Sequence, residues 1–453
     1  MSAPTLPFTL PSDLSGLPSV PLRPRLPGML PSSIPFDLNS YPIAESPSDI
    51  VTEIVLPKAK FQYICYHPLS NRQLSGPLQL IGPQWSKTLD GDGSLSAKIA
   101  LPSDPIQVAQ LKVALEPLLS AIYVKDSSSG EFVWGGIILS QDWDNATETI
   151  QIDAIEWRAW LSWKILGPNT TTLANTTFAY SQKDQLVIAR DLVAKAVAGG
   201  TIDGCPTISI GSETSGSSPP IAAIRDLNFL GTDFHNVAEM IDRMAHRAGG
   251  FEWSIEVRRS MVDGVSPQLY FIPYYPQRGS VNSGILLKHT GGTSSVGHTG
   301  NIIGYSNVTK SGKDIRQRIW GIGSGTAPDI LYAQDTEPLL STGNFLMSED
   351  TWTNSSITQT STLSADIRQE RLFRKPGISS IQIIVSLNNP SVFDYDIGDR
   401  CRLVLSDRWL SYDLPSVRII DKVVSPQQGS GQVQLTLDLT DLTEPDVDTG
   451  GGV

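Results

Sequence analysis

The densest group of potential catalytic residues is the stretch QDWDNATETIQIDAIEW, where Asp142, Asp144, Glu148, Asp153 and Glu156 fall within fifteen residues. Glycoside hydrolysis needs two such carboxylates facing one cleft. Turn chemistry accounts for most of them more simply. Asp142, Asp144 and Asn145 stand where a hairpin turn takes Asx residues, and strand alternation sets Asp153 on the opposite face from Ile150, Ile152 and Ala154. The loop LDGDGS places Asp90 and Asp92 one residue apart, as calcium ligands can be, but no third ligand or closing Glu follows and a glycine-assisted turn is expected. Gly321, Gly323 and Gly325 resemble a phosphate-cradling loop without its Lys. Trp157, Trp160 and Trp163 recur every third residue, a spacing that suits sugar stacking or, as expected here, the packing of one domain on another. Cys65, Cys205 and Cys401 have no disulfide or metal spacing, and His67, His235, His246, His289 and His298 form no HExxH pair, so neither metal nor cofactor is expected.

The elements that must position these residues are mostly strands. The chain has 453 residues, 40% of them hydrophobic, enough for about three domains. A net charge of −12 excludes duplex binding through a basic face. No run of eighteen apolar residues and no basic-then-apolar N-terminus occurs, so neither membrane insertion nor export is predicted. Residues 1–48 hold 11 of the 32 prolines, with Pro18, Pro21, Pro24 and Pro27 in the three-residue period of polyproline II. Leu, Val and Met fill the intervals, so this is an extended arm whose Leu22, Leu26, Leu30 and Phe36 are expected to contact a partner.

From residue 50 alternating runs separated by Gly, Asp and Asn predict antiparallel β structure: a hairpin over 85–101, a short helix from Asp104-Pro105, then the strands IYVKD, VWGGIILS and ETIQIDAI. The strand trio LVLSD, VRIIDKVV and QVQLTLDL near the C-terminus repeats that order. Asp126 to Ile152 spans 26 residues and Asp407 to Leu435 spans 28, as two copies of one β unit would. Between the copies, apolar stripes predict helices over 183–198 and 234–248, the second capped by Thr232 or Asp233 with Phe234 on its buried face, and a hairpin follows. The predicted layout is an arm (1–48), a first tube-like β-barrel domain (49–166), an α+β domain (167–298), a discontinuous second barrel (299–330 and 376–440), a polar insertion carrying a little helix (331–375) and a disordered acidic tail (441–453).

In this order the segments resemble the tail-hub, or central baseplate hub, proteins of long-tailed bacteriophages, particularly the minor tail proteins of non-contractile tails. The resemblance rests on W-x(3)-L-x-G-x-G-S-L at 85–95, WGGII at 134–138, ETIQIDAIEWRAWL ending at 161 and DQLVIARDLV ending at 193. It continues in HNVAEMIDRMAHRAGGFEWSIEV, NIIGYSNVTKSGKDIRQRIWGIGSG at 301–325 and YDIGDRCRLVL at 395–405. It implies a non-enzymatic homotrimer in which two tube-like domains per chain make a pseudo-sixfold ring at the distal end of the virion tail, assembled from chains made in the host cytoplasm. Its implied partners are the distal tail or tail tube protein, the tape measure protein and the fibre proteins, with DNA only as passing cargo. An acidic chain suits that passage because a negative lumen does not hold phosphates. The arm and the 331–375 insertion are departures from the pattern. Two other readings follow from the residues: a carbohydrate-binding adhesin or glycan hydrolase using Trp160, Asp142, Asp144 and Glu156, and a distal tail protein, which would lack the internal repeat.

Overall fold

The computed structural model describes residues 60–166, 177–198, 200, 204–211, 222–290, 299–306, 316–336, 346–355, 357–373, 380–407, 411–426 and 431–439. The expected arm with Leu22, Leu26, Leu30 and Phe36, and the 441–453 tail, lie outside them. Among the described residues the fold is mainly β, with 49% strand against 17% helix.

The first β unit comprises β1 (Phe61–Tyr66), β2 (Leu80–Thr88), β3 (Ser94–Ala100), α1 (Pro105–Ala114), β4 (Ala121–Asp126), β5 (Phe132–Asp144) and β6 (Thr149–Glu156). Its strands lie in the order β1-β4-β5-β6-β3-β2, each antiparallel to its neighbour. Period-two patterning sets the faces: Leu95, Ala97 and Ile99 are buried while Ser94, Ser96 and Lys98 are exposed. Asp104 caps α1 by accepting the Ile106 N–H at 3.0 Å, with Pro105 at the first helical position. Asp144 turns the β5–β6 hairpin by accepting from Ala146 N–H (2.9 Å) and the Thr147 hydroxyl (2.7 Å), the Asx chemistry expected of it.

The chain then forms α2 (Arg158–Trp163), β7 (Thr177–Asp184), α3 (Gln185–Val197), β8 (Ile208–Ser209), β9 (Ile224–Leu230), α4 (Val237–Ala245), β10 (Glu252–Arg259) and β11 (Pro267–Tyr274). Asp184 caps α3 through the Leu186 N–H at 2.7 Å. The second helix starts later than its apolar stripe suggested. Phe234 has φ 49°, which no α-helix accommodates, and its side chain is 58% exposed. The cap is Asn236, accepting the Glu239 N–H at 2.7 Å, rather than Thr232 or Asp233. One core runs from Ile64, Tyr123 and Phe132 of the first unit through Trp157 and Leu161 to Leu192, Met240 and Trp253.

There follow β12 (Leu286–Thr290), β13 (Thr299–Gly300), β14 (Ile302–Ser306), β15 (Arg318–Ile322), β16 (Tyr332–Thr336), β17 (Glu349–Thr353), α5 (Thr360–Phe373), β18 (Ser380–Ser386), β19 (Arg400–Ser406), β20 (Ser411–Ser425) and β21 (Gln432–Asp438). The second unit has the strand order β12-β19-β20-β21-β18-β14, position for position that of the first. The correspondence extends to register. Ile138 faces Ala154 as Ile419 faces Leu437, a bulge follows in both, and Ser140 then faces Asp153 as Asp421 faces Thr436. One difference marks the copies: β1 runs antiparallel to β4, whereas β12 runs parallel to β19.

The two units share one 13-stranded sheet, joined where Trp85, Ser86, Lys87 and Thr88 of β2 pair with Val424, Val423, Lys422 and Asp421 of β20. None of the described sheets closes into a barrel, so the closed barrels expected from the sequence are not formed within one chain. The segment just before β2 bridges back to β1, Leu78 to Tyr63 and Gln73 to Tyr66, but β2 itself spends its outer edge on β20. The polar insertion also differs from expectation. Residues expected to be loop, together with β15, form a three-stranded β16-β15-β17 sheet on which α5 packs, its alternation being too short to stand out among Ser and Thr.

Candidate functional site at the junction of the two β units

A cluster of charged residues lies where β2, β6, β10 and β20 converge, with Arg418 and Lys422 buried in it. Arg418 on β20 is 7% exposed and forms a two-pronged pair with Glu252 on β10, Nη1 to Oε1 at 2.7 Å and Nη2 to Oε2 at 2.6 Å. It also donates to the carbonyls of Gly398 (3.2 Å) and Arg278 (3.0 Å), and Glu252 accepts the Arg278 N–H at 2.7 Å. One strand of the second unit is thereby tied to the α+β segment with hydrogen bonds to most of the guanidinium. The close approach requires glycine on both sides. A Cβ on Gly398, whose φ is 90°, would lie 2.6 Å from the Arg278 carbonyl oxygen, and one on Gly279 would lie 2.2 Å from the Gly398 carbonyl carbon. Gly398→Ala is expected to cost about 1–3 kcal/mol in a urea titration.

Beside this pair opens a chamber of about 260 Å³, walled by Trp85, Trp134, Trp253 and Phe393 and charged by Lys87, Glu156, Glu256, Arg278, Asp396 and Lys422. Asp396 accepts from Lys87 Nζ at 2.9 Å and from Arg278 Nη2 at 3.2 Å, with Lys422 Nζ at 3.7 Å from its other oxygen. Burial alone would raise its carboxyl, but these three cations hold it well below the usual carboxylate range. Glu256 likewise resists burial through Arg278 and the Tyr274 hydroxyl and is lowered. Burial brings the Lys422 ammonium down to about 8, against the pull of Asp396, and its protons go to the carbonyls of Val392 and Tyr395.

Glu156 behaves in the opposite way. Burial pushes it up to about 7, and neither Lys87, Arg278 nor the Gly93 N–H, donated at 2.9 Å, offsets that. Trp85 Nε1, Tyr395 Oη and Asp396 Oδ1 are buried here without a hydrogen-bond partner in the protein, which a polar chamber with room for several waters explains.

Of the carboxylates singled out in the sequence, only Glu156 reaches this chamber. Asp142 and Asp144 sit toward the far end of the β5–β6 hairpin, about 17 and 23 Å along a strand from Glu156 by the separations of their partners Gln151 and Thr149 from it. The hydrolytic pair of Glu156 with Asp142 or Asp144 is therefore not assembled. Asp153 accepts from the Ser140 hydroxyl at 3.1 Å. Asp90 meets His246 Nε2 at 3.1 Å and Arg158 at 3.6 Å, so the 89–94 loop contacts α4 and α2. Gly321 lies inside β15 under Leu363 and Ile367, not in a phosphate loop. All three cysteines are buried thiols, and among the described residues no cluster of three His, Cys, Asp or Glu could hold a metal ion. Among them too, no helix is long and apolar enough to cross a membrane.

The Trp stripe is divided. Trp157 is 1% exposed within the core shared by the first unit and the α+β segment, Trp160 is half-buried against it, and Trp163 is 47% exposed. A step of three residues turns a helix by 300°, so each Trp rotates 60° from the last and the third leaves the core. Sequence reasoning missed Glu252, Arg278, Asp396, Arg418 and Lys422. The available signal was a Lys and an Arg inside the apolar strand VRIIDKVV.

No protein-family model matches the sequence, and no curated protein matches it either. Solved structures do. The 43 kDa tail protein of prophage MuSo2 from Shewanella oneidensis superposes with a TM-score of 0.56 at 10% identity, over 84% of this chain and 100% of that one. The chain has the fold of phage tail proteins. A tail protein from Neisseria meningitidis MC58 agrees, with a TM-score of 0.53 at 13% identity over 83% of this chain and 96% of that one. In this tail-protein fold the junction chamber is where the two repeated units meet, and its charges are consumed in joining them.

Proposed function

We propose that the protein is a structural component of a phage tail tip, a hub in which three copies form a pseudo-sixfold ring that joins the tail tube to the tip and leaves an axial passage for DNA. It carries out no catalysis and takes no cofactor. The proline-rich arm, through Leu22, Leu26, Leu30 and Phe36, binds a neighbouring tail, tape measure or fibre protein, and Trp157 and Trp160 hold the first unit to the α+β segment. Each tube-like unit is one sixth of the ring, which is why the sheet of a single chain stays open.

One observation carries this reading. The outer half of β20 is covered by β2, which buries Val424 completely. In the first unit the equivalent half of β5, from Ser140 to Trp143, has no strand on that edge among the described residues, and Trp143, which stands where Val424 does, is 49% exposed. Leu139, the counterpart of Ile420, is 40% exposed. The outer strand of the second unit, β14, pairs among the described residues only with β18 and leaves Ile303 48% exposed. Exposed edges with apolar residues invite strand pairing. Joining the β14 side of one copy to β5 of the next repeats the β2–β20 seam and closes three chains into a ring.

Single-particle averaging of the purified protein tests the ring. A threefold particle with an axial channel is the expected result, and compact monomers both at high protein concentration and in the presence of the tail tube would overturn it. Trp143→Arg is expected to weaken association by roughly 2 kcal/mol or more while leaving the monomer's melting unchanged, because the residue is already half exposed. Rings of undiminished stability would reject the β5 edge.

A further inference from the structure

The insertion between β14 and β18 carries a sheet face distinct from the β5 and β14 edges assigned above to ring closure. Helix α5 presses Leu363 and Ile367 onto Ile319 and Gly321, with Ala333 and Trp352 beside them, so one face of the β16-β15-β17 sheet is core. The other face is the more exposed among the described residues. Register places nine residues on it in three rows: Thr336, Arg318 and Glu349; Gln334, Trp320 and Thr351; Tyr332, Ile322 and Thr353. Tyr332 is 67% exposed, and Gln334, Glu349, Thr351 and Thr353 are exposed as well, while Trp320 is partly buried. Tyr332 and Trp320 are diagonal neighbours, a separation of about 7–8 Å on one sheet face.

The polar groups between the rings are already fixed in place. Arg318 donates to the Thr336 hydroxyl at 3.1 Å and to Glu349 Oε1 at 2.7 Å, and Trp320 Nε1 points at the same oxygen from 3.4 Å. The guanidinium lies 6.0 Å from the Trp320 ring centroid, at the limit of cation–π contact. A single Arg and a single Glu cancel, so in a chain of net charge −12 this patch is neutral. Neither nucleic acid nor an anionic lipid surface is drawn to it. Only Trp320, Tyr332 and Ile322 of the nine are apolar, too little for the dry centre of a protein interface. Flat aromatic rings beside a planar guanidinium, a carboxylate, an amide and hydroxyls match a neutral sugar, whose C–H faces stack and whose hydroxyl pairs accept and donate in two-pronged fashion.

We propose that the open face of the β16-β15-β17 sheet binds a neutral glycan, with Trp320 and Tyr332 beneath the sugar rings and Arg318, Glu349, Gln334 and Thr351 on the hydroxyls. The site is separate from the β5 and β14 edges and does not depend on ring formation. The test is affinity electrophoresis and calorimetry of the full chain against maltohexaose, cellohexaose, chitohexaose and a neutral mixed-linkage glucan. At least one is expected to bind. Trp320→Ala and Tyr332→Ala should each weaken that binding roughly tenfold, Glu349→Gln should weaken it less, and Trp163→Ala, which removes an exposed Trp elsewhere, should leave it unchanged. Because Tyr332 is largely exposed, its variant reads binding without a folding penalty. Failure of all four glycans to bind overturns the proposal. So does binding that survives both aromatic substitutions, or a Tyr332→Ala variant that alters only the oligomeric state, since the face is then a contact between copies.

Discussion

Glu252→Ala is expected to destabilise the protein by about 3–5 kcal/mol, because it strands the Arg418 guanidinium in the junction with only two carbonyl partners. The ion pair itself does not contribute that much. Burying two charges costs nearly what their attraction returns, and the loss comes from leaving one of them uncompensated. The double substitution Glu252→Met with Arg418→Met should therefore recover most of the stability, which a guanidinium chloride titration of the three variants measures. Recovery to no better than the single variant would mean that the hydrogen bonds of Arg418 to the Gly398 and Arg278 carbonyls, and not the charge, hold the seam. Asp413→Ala, which breaks the exposed Arg402–Asp413 pair, serves as the control and should change nothing measurable.

Glu156→Gln should stabilise the protein at pH 8 by up to about 3 kcal/mol and leave it nearly unchanged at pH 4. The sign follows from where the proton sits. Burial raises Glu156 from 4.5 to about 7, so between those values the folded chain holds a proton that the unfolded chain has released, and stability falls as the pH rises. Above 7 the full cost of a charged Glu156 is present, and the amide avoids it while still accepting the Gly93 N–H. His246, raised by its hydrogen bond to Asp90, contributes a slope of the same sign near neutrality, and His67, lowered by burial, one of the opposite sign. Asp396 and Glu256 are lowered, so their contributions are lost only in acid. The difference between wild type and Glu156→Gln cancels all four. Parallel stability curves from pH 4 to 8 would show that Glu156 is ionised throughout.

The junction's charges work against one another to a single end. Asp396 gathers Lys87 from the first unit, Lys422 from the second and Arg278 from the segment between, so each unit contributes a cation to one carboxylate. A joint of this kind resists sliding of β2 along β20, because a shift of one residue would point Lys87 away from Asp396.

Local chemistry was legible in the sequence wherever neighbours along the chain decide it. Asp104 caps a helix, Asp144 turns a hairpin, alternation gave the faces of β3 and β6, and the spacing of two strand trios revealed the repeat. These depend on contacts a few residues apart. What the sequence could not fix was the seam between the units, since the pairing of β2 with β20, more than 300 residues away, leaves no trace in either strand's pattern. The same holds for the junction. Glu252, Arg278, Asp396 and Arg418 come from four separate segments, and their pairing exists only after β10, β20 and the 278 and 396 loops converge. Phe234 is the converse case: its place on an apolar stripe was real, but its left-handed backbone and the start of the helix at the Asn236 cap leave it facing solvent.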